Sequence, residues 1–387
     1  MFTLFDLTPY SIIAVTVVTS IFILFFILLT RKDSVITRLP MWLMMTLTVA
    51  MCLRLLFPIE FLFLSHTFLS FDILPQFDAA IKTSVNIFEN TAASQVVSIV
   101  DIFCCAWLLG ALFFTCSYFF KYFNLCRRVK YLETSDERLL NILNKVKDEY
   151  NFNFNVKIIV SSAVESPSEF GFFRQVVFLN DYNYTDEQLF YILSHELTHF
   201  YNKSNWIKLF LDIVSSVLWW NPVIHLLCEH INNVLEIYVD AHVIKDTDKK
   251  FKENYLLCLL DVYKMSFTGR NHTMEYVHPM AKSLDKNLLL KRFNLVTTKR
   301  AINIPMCISM FVILIIYIFV STRYVIQPGY ESPAEDMLSV NEEITEYTAE
   351  NSYIIKEGDW YVLYYNNQRL LKNKNIEDLP DVPIISK

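Results

Sequence analysis

No charged side chain occurs from Tyr10 to Thr30, or from Ala301 to Thr322. A helix of about 20 such residues is long enough to cross a hydrocarbon core of about 30 Å. Soluble helices seldom stay apolar on every face over that length. Two further stretches behave similarly. Ile102 to Phe120 is uncharged, and Leu39 to Leu64 is apolar apart from Arg54 and Glu60. The sequence therefore predicts an α-helical multi-pass membrane protein with about four transmembrane helices. Composition agrees, with 53% hydrophobic and 19% charged residues, against roughly 45–50% and 25% in soluble domains. A disordered chain is excluded, and a formal charge of −6 argues against direct nucleic-acid binding.

Arg31, Lys32 and Arg38 follow the first span, Lys121, Arg127, Arg128 and Lys130 follow the third, and Lys291, Arg292, Lys299 and Arg300 precede the fourth. By the positive-inside rule these flanks are cytoplasmic. The chain then divides into an N-terminal membrane region 1–125, a cytoplasmic domain 126–300, a fourth span 301–322 and a short acidic extracellular tail 323–387. Cysteine usage fits this topology: all eight lie in spans or on the reducing side. No positive region precedes the first span and no small-residue cleavage site follows it, so it reads as an anchor and not as a cleaved signal. The loop 66–95 is outside, where Ile81, Val85 and Phe88 have helical spacing. In the tail, Gly358 to Tyr365, Asn366-Asn367 and Arg369 to Leu371 read as a hairpin.

The inner domain carries the chemistry. Val156 to Val160 and Val176 to Leu179 are β-branched or aromatic runs, expected as strands. Thr185 and Gln188 form a capping-box pattern that starts a helix running to about Tyr201, with Leu189, Ile192, Leu193 and Leu197 buried. On it lies His195-Glu196-Leu197-Thr198-His199. A spacing of four puts both imidazoles on one helical face, able to chelate one Zn2+ ion, with Glu196 beside them as the proton acceptor for a peptidase reaction. A catalytic zinc needs a third protein ligand, and Glu236 supplies it best. Asp240, one turn on, can receive an imidazole N–H. His225, His230 and His242 compete as third ligands. Trp206 to Cys228, broken at Asn221-Pro222, reads as a hairpin dipping into or lying on the inner membrane face, with Trp219 and Trp220 at the interface. Leu288 to Phe293 is an apolar–basic stretch between this domain and the fourth span. It reads equally as a self-cleavage segment or as a charge anchor for that span.

These residues together resemble the BlaR/MecR family, integral-membrane zinc metallopeptidases that transduce β-lactam signals in bacteria. The resemblance covers residues 1–325. It rests on Arg54 to Glu60, Ser166 to Phe173, the strand 176–179, His195 to His199, Trp220-Asn221-Pro222 and Glu236 to Asp240. It implies a gluzincin-like α+β metallopeptidase domain whose strand 176–179 is the edge on which substrate adds. It also implies regulatory proteolysis of a cytoplasmic transcriptional repressor or of the protein itself, at a bacterial plasma membrane, with homo-oligomers open. The large outside penicillin-binding sensor domain of the family has no counterpart in 323–387. Ser283 to Lys286 matches S-x-x-K, but on the inner side and without KTG. The rivals are a signalling receptor with a structural metal, separated by whether Glu196 is needed, and a membrane-protein quality-control protease, separated by its substrate.

Overall fold

The computed structural model describes residues 5–6, 9–58, 60–61, 67–69, 84–86, 96–130, 136–162, 164, 166–268, 286–298, 301–326, 352–357, 360–365, 368–373 and 382–385. It is mostly helical and forms two compact units, the larger being 1–67 with 84–325.

Three described helices are long and apolar enough to cross a membrane: α1 (Pro9–Thr30), α4 (Ile99–Val129) and α11 (Ile304–Arg323). Between the first two lie α2 (Asp33–Ile36) and α3 (Met41–Leu56). The expected second span is thus shorter than Leu39 to Leu64. Pro40 precedes α3, and Pro58 follows Phe57, which disfavours helix at the residue before it. Sixteen residues extend only about 24 Å. The charge inside this region is satisfied at the helix end, where Arg54 donates to the Ser321 carbonyl at 2.7 Å. The loop expectation is corrected too. Val85 lies on a strand, Ser84–Asn86, paired antiparallel with Val96–Ser98. The β-branched Val85, Val96 and Val97 favour extended backbone. Ile81 and Phe88 lie outside the described residues.

Helix α4 continues past Phe120 to Val129, where Leu125 and Val129 pack with Ile159, Phe170, Val176 and Phe178. One membrane helix thus ends in the core of a three-stranded sheet, ordered β1 (Val156–Val160), β3 (Gln175–Leu179), β2 (Ser168–Phe170). β1 and β3 are parallel, and β2 is antiparallel to β3. Strand β3 is therefore central and β1 and β2 are the edges, a correction to the edge expected at 176–179. Gly171 makes the turn that follows β2. Its φ of 98° lies in a region side chains avoid, and a Cβ there would collide with the Arg174 carbonyl.

The remaining helices are α5 (Glu137–Tyr150), α6 (Asp186–Tyr201), α7 (Ser204–Val217), α8 (Pro222–Val243), α9 (Lys249–Thr268) and α10 (Lys286–Thr297). Sheet, α5, α6 and α9 share one core through Val146, Val177, Leu193, Leu197 and Leu259. A second core joins α1, α3, α7, α8, α10 and α11. The α7–α8 hairpin lies among the membrane helices. Asn221, capping α8, is 3.5 Å from Ser20 of α1, and His230 Nε2 is 2.7 Å from Thr30 Oγ1. Ser20 is near the middle of α1, so the turn that carries Trp219 and Trp220 meets that helix at mid-length. Trp107 of α4 donates to the Val217 carbonyl at 2.7 Å, and the Trp219 ring is 5.9 Å from Phe114. Gly110 permits this approach, since a Cβ there would overlap the Trp219 indole.

The smaller unit contains a sheet ordered β6 (Gln368–Asn373), β5 (Trp360–Tyr365), β4 (Ser352–Glu357), β7 (Ile384–Ile385). β5 and β6 are the antiparallel pair expected from sequence. The Asn366-Asn367 turn lies outside the described residues.

Candidate metal centre

Helix α6 begins as its sequence dictates. Thr185 Oγ1 accepts from the Gln188 N–H at 3.2 Å, and Gln188 Oε1 accepts from the Thr185 N–H at 3.0 Å. Asp186 and Glu187 occupy its first turn, favourable at the positive end of the helix. Leu189, Ile192, Leu193 and Leu197 are buried, which sets the rotation of the helix and brings His195 and His199 toward α8. Helix α8 starts at Asn221 and Pro222, and its regular spacing places Glu236 and Asp240 one turn apart.

The structure brings His195, His199 and Glu236 together. His195 Nε2 is 3.3 Å from Glu236 Oε2 and 3.2 Å from His199 Nε2, and His199 Nε2 is 3.5 Å from Glu236 Oε1. Four-coordinate zinc with ligands at about 2.0–2.1 Å separates tetrahedral donors by about 3.3 Å. Both the donor types and their spacing fit that ion. Glu196 adjoins them, and its carboxyl faces Glu169 and bonds none of the three donors. The centre is enclosed: His195, Glu196 and His199 are 1% exposed.

The electrostatics favour a cation here. Burial opposes charge on His195, but hydrogen bonds to Asp240 and Glu236 outweigh it and push the imidazole up to about 9. Burial likewise opposes charge on Glu236, yet His199, then hydrogen bonds from both imidazoles and the Arg292 charge, hold it well below its ordinary value. His199 is held low by burial, which Glu169 and Glu236 only partly offset. Glu196 is held well above the carboxylate range by burial and then by the Glu169 charge.

Asp240 Oδ1 lies 3.2 Å from His195 Nδ1. Tyr255 Oη donates to Asp240 Oδ1 at 2.6 Å and is 2.9 Å from His195 Nδ1. Arg292, fully buried, donates from Nε to Asp240 Oδ2 at 2.6 Å and from Nη2 to Oδ1 at 2.8 Å. Its Nη1 is 3.7 Å from Glu236 Oε2. On the far side, Glu169 Oε1 is 3.8 Å from His199 Nδ1 and accepts from Lys208 Nζ at 2.6 Å.

The competing histidines are elsewhere. His225 Nε2 is 3.1 Å from the Trp219 carbonyl, His230 meets Thr30, and His242 packs on Tyr201. Four buried groups around the centre carried no role at the metal site in the sequence reading: Glu169, Lys208, Tyr255 and Arg292. Leu288 to Phe293 lies within α10, where Arg292 reaches Asp240 and Lys291 donates to the Arg31 carbonyl at 2.9 Å. Cleavage there would require unwinding α10. Residues 283–285 of the S-x-x-K match lie outside the described residues.

Two imidazoles and a carboxylate at zinc spacing, with a glutamate one residue from the first, in a chain with membrane-length helices, define a candidate integral-membrane metallopeptidase centre. The BlaR1 peptidase M56 family model matches residues 6–296, and the chain belongs to that family. It is similar to the regulatory protein BlaR1 of Bacillus licheniformis, 28% identical over 156 residues, covering 40% of this chain and 26% of that one. It is also similar to the regulatory protein BlaR1 of Staphylococcus aureus, 21% identical over 267 residues, covering 65% and 45%. The matches thus span less than half the length of these relatives.

Proposed function

We propose that this protein is a membrane-embedded zinc metallopeptidase of the gluzincin type, acting in regulatory proteolysis. The observation that carries the reading is the three-donor set at tetrahedral spacing beside a buried glutamate. His195, His199 and Glu236 would hold the ion. When bound, zinc supplies Lewis acidity that polarises a peptide carbonyl and makes a water molecule more acidic. Glu196 takes the proton from the attacking water and returns it to the departing amine. Asp240 accepts the Nδ1–H of His195 and fixes the tautomer that leaves Nε2 free for the metal. Peptide access needs a movement that uncovers the centre, because the edge strand β2 and the donors are buried.

The substrate we favour is a cytoplasmic protein, a transcriptional repressor, or the chain itself. That its relatives are regulatory proteins supports this reading. A purely structural metal would not need a buried glutamate beside its ligands, so Glu196 favours catalysis.

Purified protein is expected to carry about one zinc per chain, and His199→Ala to lose most of it, because removing one of three ligands opens the site. Elemental analysis checks this. Full zinc occupancy in the variant would refute the ligand assignment.

The proposed orientation puts 126–300 in the cytoplasm and the tail outside. Cysteines introduced at the exposed Lys356 and Lys249 test it in intact cells. An impermeant maleimide should label Lys356→Cys and spare Lys249→Cys; the reverse pattern would overturn the charge argument.

A further inference from the structure

Each imidazole of the centre faces a carboxylate, and each carboxylate is held by a buried cation. For His195 the pair is Asp240 and Arg292. For His199 the corresponding groups come from different elements, the edge strand β2 and helix α7. His199 Nδ1 is buried and has no hydrogen-bond partner. Glu169 Oε1 stands 3.8 Å from it. Less than 1 Å of closure would bring the two to an ordinary N–H···O distance of about 3 Å.

Lys208 explains why that oxygen is there. Its side chain is buried on α7 together with Ser204, Leu211 and Val214, and a buried ammonium persists only when paired. Its Nζ binds Glu169 Oε1, the same oxygen that faces His199, at 2.6 Å. Alternation along β2 turns Phe170 toward Phe178 and Tyr122, and leaves Glu169 for the opposite face, toward α6. The sequence distances are 30 residues from Glu169 to His199 and 39 from Glu169 to Lys208, so only the packing of β2 and α7 on α6 unites them.

We propose that Glu169, fixed by Lys208, is the positioning carboxylate of His199. It takes the ring's Nδ1–H and so presents Nε2 to the metal, as Asp240 does for His195. This rests on the metal-centre reading above. A ligating histidine almost always gives its second ring N–H to such a partner, and losing the partner typically weakens metal binding about 10–100-fold.

The test uses full-length protein in detergent. Zinc affinity is read by competition with a chromophoric chelator, and ligand geometry by the visible spectrum of the Co2+-loaded protein. The main variant is the double substitution Glu169→Leu with Lys208→Met, which removes both charges together and leaves neither ion buried alone. It should lose about 10–100-fold in zinc affinity and shift the cobalt bands, while metal-free thermal unfolding stays near that of the parent. Lys208→Arg, which keeps a cation on Glu169, should retain affinity within a few-fold of the parent, on the order of tenfold above the double variant. Should the double variant fail to fold, Glu169→Gln carries the same comparison, with an expected loss of about tenfold. Zinc affinity within twofold of the parent and an unchanged cobalt spectrum would overturn this inference alone. Wild-type protein that takes up no zinc would overturn the metal-centre reading and this inference with it.

Discussion

Glu196→Gln should keep its zinc and lose peptide hydrolysis by about 10²–10⁴-fold, the usual contribution of a positioned general base. The geometry sets up that separation. Glu196 is buried on α6, and the side chain its carboxyl meets is Glu169. The proposed metal donors are His195, His199 and Glu236, and none of them hydrogen-bonds Glu196. Glutamine has the same size and leaves no ion buried, so the fold and donor spacing should persist. What it lacks is the capacity to accept a proton. The measurement is cleavage of a co-expressed substrate or of the chain itself, followed by mass spectrometry, alongside zinc content. Loss of cleavage with zinc retained is the expected result. Unchanged cleavage would remove Glu196 from the mechanism, and loss of zinc would make its role structural.

The centre's local half was legible in the sequence. The capping box at Thr185 and Gln188, the two histidines four apart, and the Glu236–Asp240 pair all depend on spacing within one helix, and helical spacing is a property of adjacent residues. Strands β1 and β3 were readable because they are β-branched and apolar. Strand β2 was not recognised as one. Ser168-Glu169-Phe170 is short and polar, and it becomes a strand through pairing with β3. Strand order is likewise a tertiary fact, which is why β3 was taken for the edge. The second membrane segment was overextended because hydropathy counts apolar residues across Pro58, whereas the backbone stops at Leu56. Lys291-Arg292 beside a span matches the common pattern of charges that mark a cytoplasmic flank. That pattern concealed a different use of Arg292, visible only once α10 packs against α8.

Arg292→Met is expected to destabilise the protein by about 3–5 kcal/mol, the usual cost of breaking a buried ion pair from one side. Arg292 has no exposed surface, and Asp240 is 1% exposed, so solvent screening does little to soften the change. Both carboxylate oxygens are engaged by the guanidinium, Oδ2 by Nε and Oδ1 by Nη2. Burial would raise the Asp240 carboxyl, but the Arg292 charge and its hydrogen bonds outweigh this and hold it far below its ordinary range. Without Arg292 the carboxylate is left buried with Tyr255 and His195 as its partners. Arg292→Lys keeps the charge but gives up the two-pronged geometry, so an intermediate loss follows. Replacing both partners, as Arg292→Met with Asp240→Asn, should recover much of the stability, since Asp240 is then no longer a stranded charge and Glu236 keeps both imidazoles. Denaturant unfolding in detergent, compared with the exposed Lys249→Met as a control, measures each step. An Arg292→Met protein as stable as that control would mean the pair is dispensable. The expected loss has a consequence for the chain's architecture. Arg292 stands on α10, and residues 298–303 lead from that helix to α11, with the Asn303 N–H bonded to the Arg38 carbonyl at 3.1 Å. The ion pair that steadies the His195 partner is thus borne by the helix that precedes a membrane-length helix in the chain.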